Sequence, residues 1–302
     1  MKIANTDLRA LAVFRAVVEH EGFAGAQIAL GLSQSAISFH VKALEERLGF
    51  ALCRRGRGGF ALTERGALVH ARSDALFLSL DAFESEVGRL RDRITGTLRI
   101  GMIDNTVTDS GLPLPQVIGR IGARAPEARL DIAMADPETL VARLAGGALD
   151  LAILPETRLA EGLRLSPLHE ERHLLYCGRG HPLFPRAAEV TETAEIARWP
   201  FVGRPYANQR ELGPFPGAVM PASAANMEAQ AMFLLSGGYI GYLPAHYAKA
   251  HVAAGDLRVL GTGFPLSSRL LLATRAGMRA TPLQDLFLRE LVAAIAARAD
   301  AG

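Results

Sequence analysis

His169-Glu170-Glu171-Arg172-His173 reads H-E-x-x-H, and Glu192 lies where a third ligand would be sought. On a helix this spacing turns two imidazoles toward one zinc ion, with the glutamate as general base. Here Pro167 precedes the segment, and Leu174-Leu175-Tyr176, Gly178, Gly180 and Pro182 follow it. That context predicts a strand, which would set residues four apart on one face but about 13 Å distant. A zinc metallohydrolase using His169, Glu170 and His173 is therefore an alternative set aside. A second alternative is a redox-sensing regulator using Cys53 and Cys177. These two cysteines are far apart and in no spaced motif, so the expectation is small buried residues in a reducing compartment, with no disulfide framework. No nucleophile elbow, phosphate-binding glycine loop or dinucleotide fingerprint occurs, so neither an enzyme nor a bound cofactor or metal is expected.

A different cluster carries a different chemistry. From Ser33 to Arg65 the basic residues are Lys42, Arg47, Arg54, Arg55, Arg57 and Arg65, against Glu45, Glu46 and Glu64. The whole chain has a net charge of only +2, so a polyanion must be met by a local excess of this kind. A basic cluster can neutralise several phosphates and release their counterions, the source of most non-specific DNA affinity. Beside it, Gln34, Ser35, Ser38, Lys42 and Glu45 form a polar stripe able to hydrogen-bond base edges.

These residues need positioning elements. Thr6 or Asp7 can cap a first helix with Leu8, Leu11, Phe14 and Val18 as its apolar stripe, ended by His20, Glu21 and Gly22. A short helix from Ala24 to Leu30, a turn at Gly31-Leu32 and a capping Ser33 lead to a helix from Gln34 to Arg47. Its core face is Ile37, Val41, Leu44 and Leu48. Gly49 stops it. Arg54 to Gly59 make a cationic, flexible tip and Phe60-Ala61-Leu62 a returning strand, the outline of a winged helix-turn-helix. Thr63 and Glu64 then open a long helix to about Asp92. In it Val69, Ser73, Leu76, Leu80, Phe83, Val87 and Leu90 alternate spacings of four and three, as a dimerising coiled-coil seam does. Arg72, Asp74, Asp81, Glu84, Glu86 and Arg89 would be its outer face.

From Gly96 short apolar strands alternate with helices. Strands are expected at Thr97–Ile103, Arg129–Ala135 and Asp150–Leu154, with helices at Leu114–Arg124 and Glu138–Ala145. A second stretch has strands near Leu174–Cys177, Phe201–Gly203 and Tyr239–Leu243 and a helix at Asn226–Ser236. The strand Arg269–Thr274 and the helix Leu283–Ala297 return to the first unit. Two α/β subdomains joined by two crossings leave a cleft, the default place for a small molecule. Apolar runs such as Leu270–Ala273 fall far short of the roughly 20 residues of a membrane span. The charged N-terminal stretch, with Lys2, Asp7, Arg9 and Arg15, offers no signal-peptide core, so a cytoplasmic protein with no membrane partner is expected.

In this order the pieces resemble a LysR-type transcriptional regulator over essentially the whole chain. The resemblance rests on Phe14, Ala26, Leu30, Ser33-Gln34-Ser35-Ala36-Ile37-Ser38, Leu44-Glu45, Leu48-Gly49, Leu52, Arg55 and Leu62-Thr63-Glu64-Arg65-Gly66. Further on it rests on Gly147 to Ile153, His181-Pro182-Leu183 and Gly238 to Pro244. The sequence departs from the family at Gln27, at Gly22 and at Cys53, where phenylalanine is usual.

The resemblance implies a winged helix-turn-helix over residues 1–62 and a linker helix over 63–93. It implies an α/β effector domain over 94–302, similar to type 2 periplasmic binding proteins, with subdomain I at 94–167 and 268–302 and subdomain II at 168–267. The DNA-contacting residues would be Ser33, Gln34, Ser35, Ser38, Lys42, Arg54, Arg55, Arg57 and Thr63. Leu76, Leu80, Phe83, Val87 and Leu90 would hold a dimer, paired into a tetramer on one promoter, with RNA polymerase a further partner. The effector site maps to Asp104, Asn105, Thr106, Ala135, Asp136, Phe201, Val202, Gly203 and Arg204. Asp104 would either meet a positive or multi-donor group of the effector or cap the helix that follows it.

Overall fold

The structure, a computed structural model, describes residues 4–56, 59–89, 93–156 and 162–299. It has two compact units, the first made mainly of residues up to Val87 and the second of those from Gly88.

The first unit opens with α1 (Asn5–Glu19), α2 (Phe23–Leu30) and α3 (Gln34–Leu48). Neither Thr6 nor Asp7 is the cap of α1. Ala4 holds that position, and Asp7, one turn in, accepts the Ala4 backbone N–H at 2.7 Å. Asp7 is buried, and its other oxygen meets Arg47 Nε at 2.7 Å, tying α1 to α3. Gly31 ends α2 in the left-handed region at φ 63°, a conformation costly for a residue with a Cβ. Ser33 then caps α3, its Oγ accepting the Ala36 N–H at 3.2 Å, and Gly49 closes it at φ 79°. Phe14, Val17, Ala26, Ile37, Val41, Leu44 and Leu52 pack into one core.

The antiparallel strands β1 (Cys53–Gly56) and β2 (Gly59–Leu62) form a wing hairpin, in which Arg54, Arg55 and Gly56, expected in its flexible tip, are instead paired on β1. Thr63 caps the next helix, α4 (Glu64–Arg89), through the Gly66 N–H. At 1.5 Å per residue its 26 residues span about 39 Å. The expected seam splits along α4. Val69 and Leu76 pack against the head core with Phe77, and Ser73 is buried. Asp74, read from the sequence as outer-face, is buried too. Its carboxylate joins Arg15 Nε of α1 at 2.6 Å and His70 Nδ1 at 3.3 Å. The half of the helix nearest the wing is thus a wall of the head.

The second unit runs β3 (Gly96–Met102), a 3-10 turn (Thr106–Thr108), α5 (Leu114–Arg124), β4 (Ala128–Met134), α6 (Pro137–Ala145), β5 (Leu151–Pro155) and β6 (Leu163–Gly178). It continues with α7 (Thr193–Ile196), β7 (Val202–Gly203), α8 (Asn208–Leu212), β8 (Ala222–Ser223), α9 (Met227–Leu235) and β9 (Ile240–Pro244). α10 (Ala245–Ala253), β10 (Leu257–Val259), β11 (Leu266–Arg275) and α11 (Pro282–Ala299) complete it.

One sheet in the order β10-β6-β11-β5-β3-β4, with β9 also on β6, runs through the unit. β3 is parallel to β4 and β5, as the β-α-β pattern required. β6 is longer than the Leu174–Cys177 strand expected. Its first part pairs with β11 and its last residues pair with β9 and β10. β6 and β11 are the two crossings. One core gathers on the β3-β4-β5 side, where α5 buries Leu114, Val117 and Ile121 against α11 residues Leu286, Phe287 and Leu291. On the far side, Leu175, Phe201, Phe215 and Tyr242 form a second core and Val202, Met227, Leu234 and Leu257 a third.

Candidate nucleic-acid interface and effector cavity

On α3 the core face is sealed, with Ile37, Val41 and Leu44 at or below 1% exposure. Gln34, Ser35 and Lys42 are exposed and Ser38 partly so. Ser35 Oγ lies 2.9 Å from Ser33 Oγ, so both hydroxyls stand at the first turn of the helix, where a groove would be read. Glu45 does not belong to this stripe. Its Oε1 accepts the backbone N–H groups of Leu52 at 2.7 Å and Cys53 at 3.4 Å, fixing the entry to the wing against α3. Arg54, on β1, is exposed, whereas Arg57 lies outside the described residues. Thr63 spends its hydroxyl internally, donating to Ala51 O at 2.8 Å while capping α4. Sequence reasoning missed Phe39, 70% exposed beside the polar stripe. An aromatic at a non-core helical position was the available signal.

On α4, Phe83 is 65% exposed and Leu80 and Val87 are half-buried, while Leu90 lies outside the described residues. Leu76 is spent on the head core.

In the second unit a cavity of about 540 Å³ is lined by Asp104, Asn105, Val107, Met134, Ala135, Asp136, Ala225, Asn226 and Glu228. Asp104 does not cap the turn that follows it. Its Oδ2 accepts the Met227 N–H at 2.5 Å, at the N-terminus of α9, and the Asn105 amide at 2.7 Å. The Asp104 carboxylate thus takes an N–H of the first turn of α9 and stands at the positive end of that helix. Asp136 caps α6, accepting from the Thr139 N–H at 3.0 Å and hydroxyl at 2.6 Å. The hydroxyl bond first, then the backbone one, hold its pKa below the usual carboxylate range.

The other mapped residues part company. Thr106 is buried with its hydroxyl toward Met102 Sδ. Phe201 and Val202 are core residues, and Gly203 pairs β7 with β8. Arg204 lines a smaller cavity, about 70 Å³, beside His173, Tyr206, Arg210, Glu211 and Ser268. Its Nε and Nη2 donate to Glu211 Oε1 at 3.2 and 3.0 Å. Burial raises the Glu211 pKa despite that cation. For Arg204, burial opposes the charge, but Tyr206, Glu211 and Glu171 raise its pKa on balance, so the guanidinium stays charged.

The H-E-x-x-H segment lies on β6, a strand. His169, Glu171 and His173 alternate inward, while Glu170, the base the metallohydrolase reading needs, is exposed on the opposite face. Glu171, not Glu170, is the glutamate that meets the histidines. Its Oε2 meets His173 Nε2 at 2.5 Å and its Oε1 meets His246 Nε2 at 3.0 Å. Burial opposes its charge, yet these two imidazoles hold its pKa at about 2. His173 itself is driven down chiefly by burial. His246 Nδ1 lies 2.8 Å from Thr108 Oγ1, and His169 Nε2 lies 3.2 Å from Asp109 Oδ1. That bond to Asp109 raises the His169 pKa against its burial. Cys177 is buried, which pushes its thiol up to about 12 and leaves it a packing residue.

Residues 8–67 match the family described as bacterial regulatory helix-turn-helix protein, lysR family, and residues 91–296 match the LysR substrate binding domain. The chain belongs to the LysR family. It is a LysR-type transcriptional regulator, with a DNA-binding head and an effector-binding domain. It is 36% identical over 295 residues, 95% of each chain, to the HTH-type transcriptional activator BauR of Pseudomonas aeruginosa. It is 30% identical over 288 residues to the SDS degradation transcriptional activation protein of a Pseudomonas species, covering 92% of this chain and 93% of that one. Among solved structures, ArgP from Mycobacterium tuberculosis has a TM-score of 0.63 at 21% identity, over 97% of this chain and 98% of that one. Full-length CbnR complexed with its target DNA has a TM-score of 0.63 at 18% identity, over 95% and 99%. These two likenesses show the fold of a full-length LysR regulator. Among the described residues no helix is long and apolar enough to cross a membrane.

Proposed function

We propose that this chain is a cytoplasmic, non-enzymatic regulator that lays α3 in the major groove of promoter DNA. Gln34, Ser35, Ser38 and Lys42 face the bases, and Arg54, Arg55 and Arg57 of the wing hold the phosphates. The observation that carries the reading is the Ser33-capped α3, with an apolar face sealed in the core and a polar edge left to solvent beside a cationic hairpin. Phosphate contacts set register, and base contacts select sequence. The head runs to Leu62, the linker over 63–93 and the effector domain over 94–302, with the two subdomains meeting along β6 and β11. Pairing along α4 uses Leu80, Phe83, Val87 and Leu90 rather than Leu76, and two such dimers meet through their effector domains. RNA polymerase is the partner that the bound assembly addresses.

The effector occupies the 540 Å³ cavity. Its lining carries the carboxylates of Asp104, Asp136 and Glu228 and no lysine or arginine, which favours a ligand with an amine or several donors. Arg204, on the smaller cavity, is matched by Glu211 and is not needed for it. Gel shifts with the DNA upstream of a divergently transcribed neighbouring gene, with and without candidate amines, test this. A band shift that is specific, weakened by salt and altered by an amine is expected. Binding no tighter than to unrelated DNA would overturn the regulatory reading, and indifference to every amine would overturn the effector class.

A further inference from the structure

Three side chains of the second unit converge, and within the group Glu171 Oε1 and His246 Nε2 already meet at 3.0 Å. Asp109 follows the 3-10 turn, Glu171 sits on β6 and His246 on the first turn of α10. One donor atom from each lies within 4.8 Å of the others. Each is held from behind. Asp109 Oδ1 accepts the Gly111 N–H at 2.8 Å and faces His169 Nε2, while its Oδ2, buried, has no partner. Glu171 Oε2 is occupied by His173, leaving Oε1. His246 Nδ1 is occupied by Thr108 Oγ1, so that Nε2 turns toward Glu171 Oε1. Outer partners that fix the orientation of each donor are the arrangement found around protein-bound metals.

We propose that Asp109, Glu171 and His246 bind a divalent first-row transition ion, with zinc as the expected occupant. One imidazole nitrogen and two carboxylate oxygens match that choice, and Asp109 and Glu171 are at most 6% exposed, so their charges lack solvent. Zinc bonds of about 2.0–2.2 Å put neighbouring donors about 3.3 Å apart. Binding therefore draws the turn after β3 toward α10. For this, the ion replaces the hydrogen bond between His246 Nε2 and Glu171 Oε1: the His246 proton sits on Nδ1, donating to Thr108 Oγ1, and the Nε2 lone pair goes to the ion. The site differs from the H-E-x-x-H reading, since Glu170 faces away and His169 and His173 serve only as outer partners. Because Asp104 and Asn105 stand in the same connection as Thr108 and Asp109, occupancy fixes one wall of the 540 Å³ cavity. The proposal does not depend on the DNA-binding reading.

The test is zinc binding by the chelator-stripped full-length chain, followed by elemental analysis after dialysis and by visible absorption of the cobalt-substituted form. One ion per chain is expected, with cobalt bands of a tetrahedral or five-coordinate site. His246→Gln and Asp109→Asn should abolish stoichiometric binding. Thr108→Ala should weaken it 10- to 100-fold, the usual effect of losing an outer partner, and Glu170→Gln should leave it unchanged. No stoichiometric ion, or an ion retained by the His246→Gln chain with native circular dichroism, overturns the site. Thr108→Ala and Glu170→Gln keep the test decisive where Asp109→Asn fails to fold.

Discussion

Glu45→Ala should loosen the joint between the reading helix and the wing. In the structure one carboxylate oxygen accepts the N–H groups of Leu52 and Cys53, and Leu52 is fully buried. Deleting it removes a charge-assisted bond and leaves a buried amide without an acceptor, a loss of about 1.5–3 kcal/mol. For a unit of this size, each kcal/mol lowers the midpoint by about 4–8 °C, so a central value of about 2 kcal/mol corresponds to roughly 8–16 °C. Glu45→Gln keeps an oxygen in place and should recover about half. The assay is thermal unfolding of the N-terminal unit followed by hydrogen exchange at the Ala51–Cys53 segment. DNA affinity should fall in parallel at unchanged salt slope, since Glu45 makes no phosphate contact. A Glu45→Ala midpoint within about 2 °C of wild type, or Glu45→Gln as damaging as Glu45→Ala, would refute the proposed joint.

Asp104→Ala should abolish the response of DNA binding to an amine effector, while Asp104→Asn, which keeps an acceptor for the Met227 N–H, should preserve folding but weaken the response at least several-fold. A normal response in Asp104→Ala would remove Asp104 from the site. Cys177, with its thiol pushed up to about 12 by burial, should resist iodoacetamide in the folded chain and react only in denaturant. Alkylation at the rate of a free thiol would show that the strand opens. His181 is buried, with Nε2 lacking a partner and a pKa lowered by that burial. Its folded value lies below the unfolded one near 6.5, so the unfolded chain takes up the proton first, and stability is full above that pH and falls as pH drops below it. Melting scans from pH 8 to pH 5 should show a shallower decline for His181→Asn than for wild type, and identical slopes would contradict this.

Much of the molecule was readable from local pattern. The helix at Leu114–Arg124 falls where its apolar spacing put it, and β3, β4 and β5 lie within one residue of their expected bounds. Ser33, Gly31 and Gly49 marked their turns because capping and left-handed conformations are local properties. What pattern did not show is polar and distant. Asp7 and Asp74 look like surface residues in the sequence, and they are buried because Arg47 and Arg15 reach them across the head. Leu76 fits a heptad seam as well as it fits the head core, since one helix face serves either. Asp104 was weighed as a cap for the next turn, but its partner is 123 residues away on α9. Glu171 was passed over as the second glutamate of a false motif. Only the pairing of β6 brings it beside His246.

The central claim is that α3 reads bases while the wing holds phosphates. It is tested most directly by measuring the affinity of wild type, Ser38→Ala and Arg54→Ala for the cognate promoter and for unrelated duplex DNA across a salt series. The account predicts that Ser38→Ala loses affinity for the promoter alone, with the salt slope unchanged. Arg54→Ala should lose affinity on both DNAs, and its slope should fall by about one ion. Equal losses on both DNAs for Ser38→Ala, or an Arg54→Ala slope equal to wild type, would contradict it.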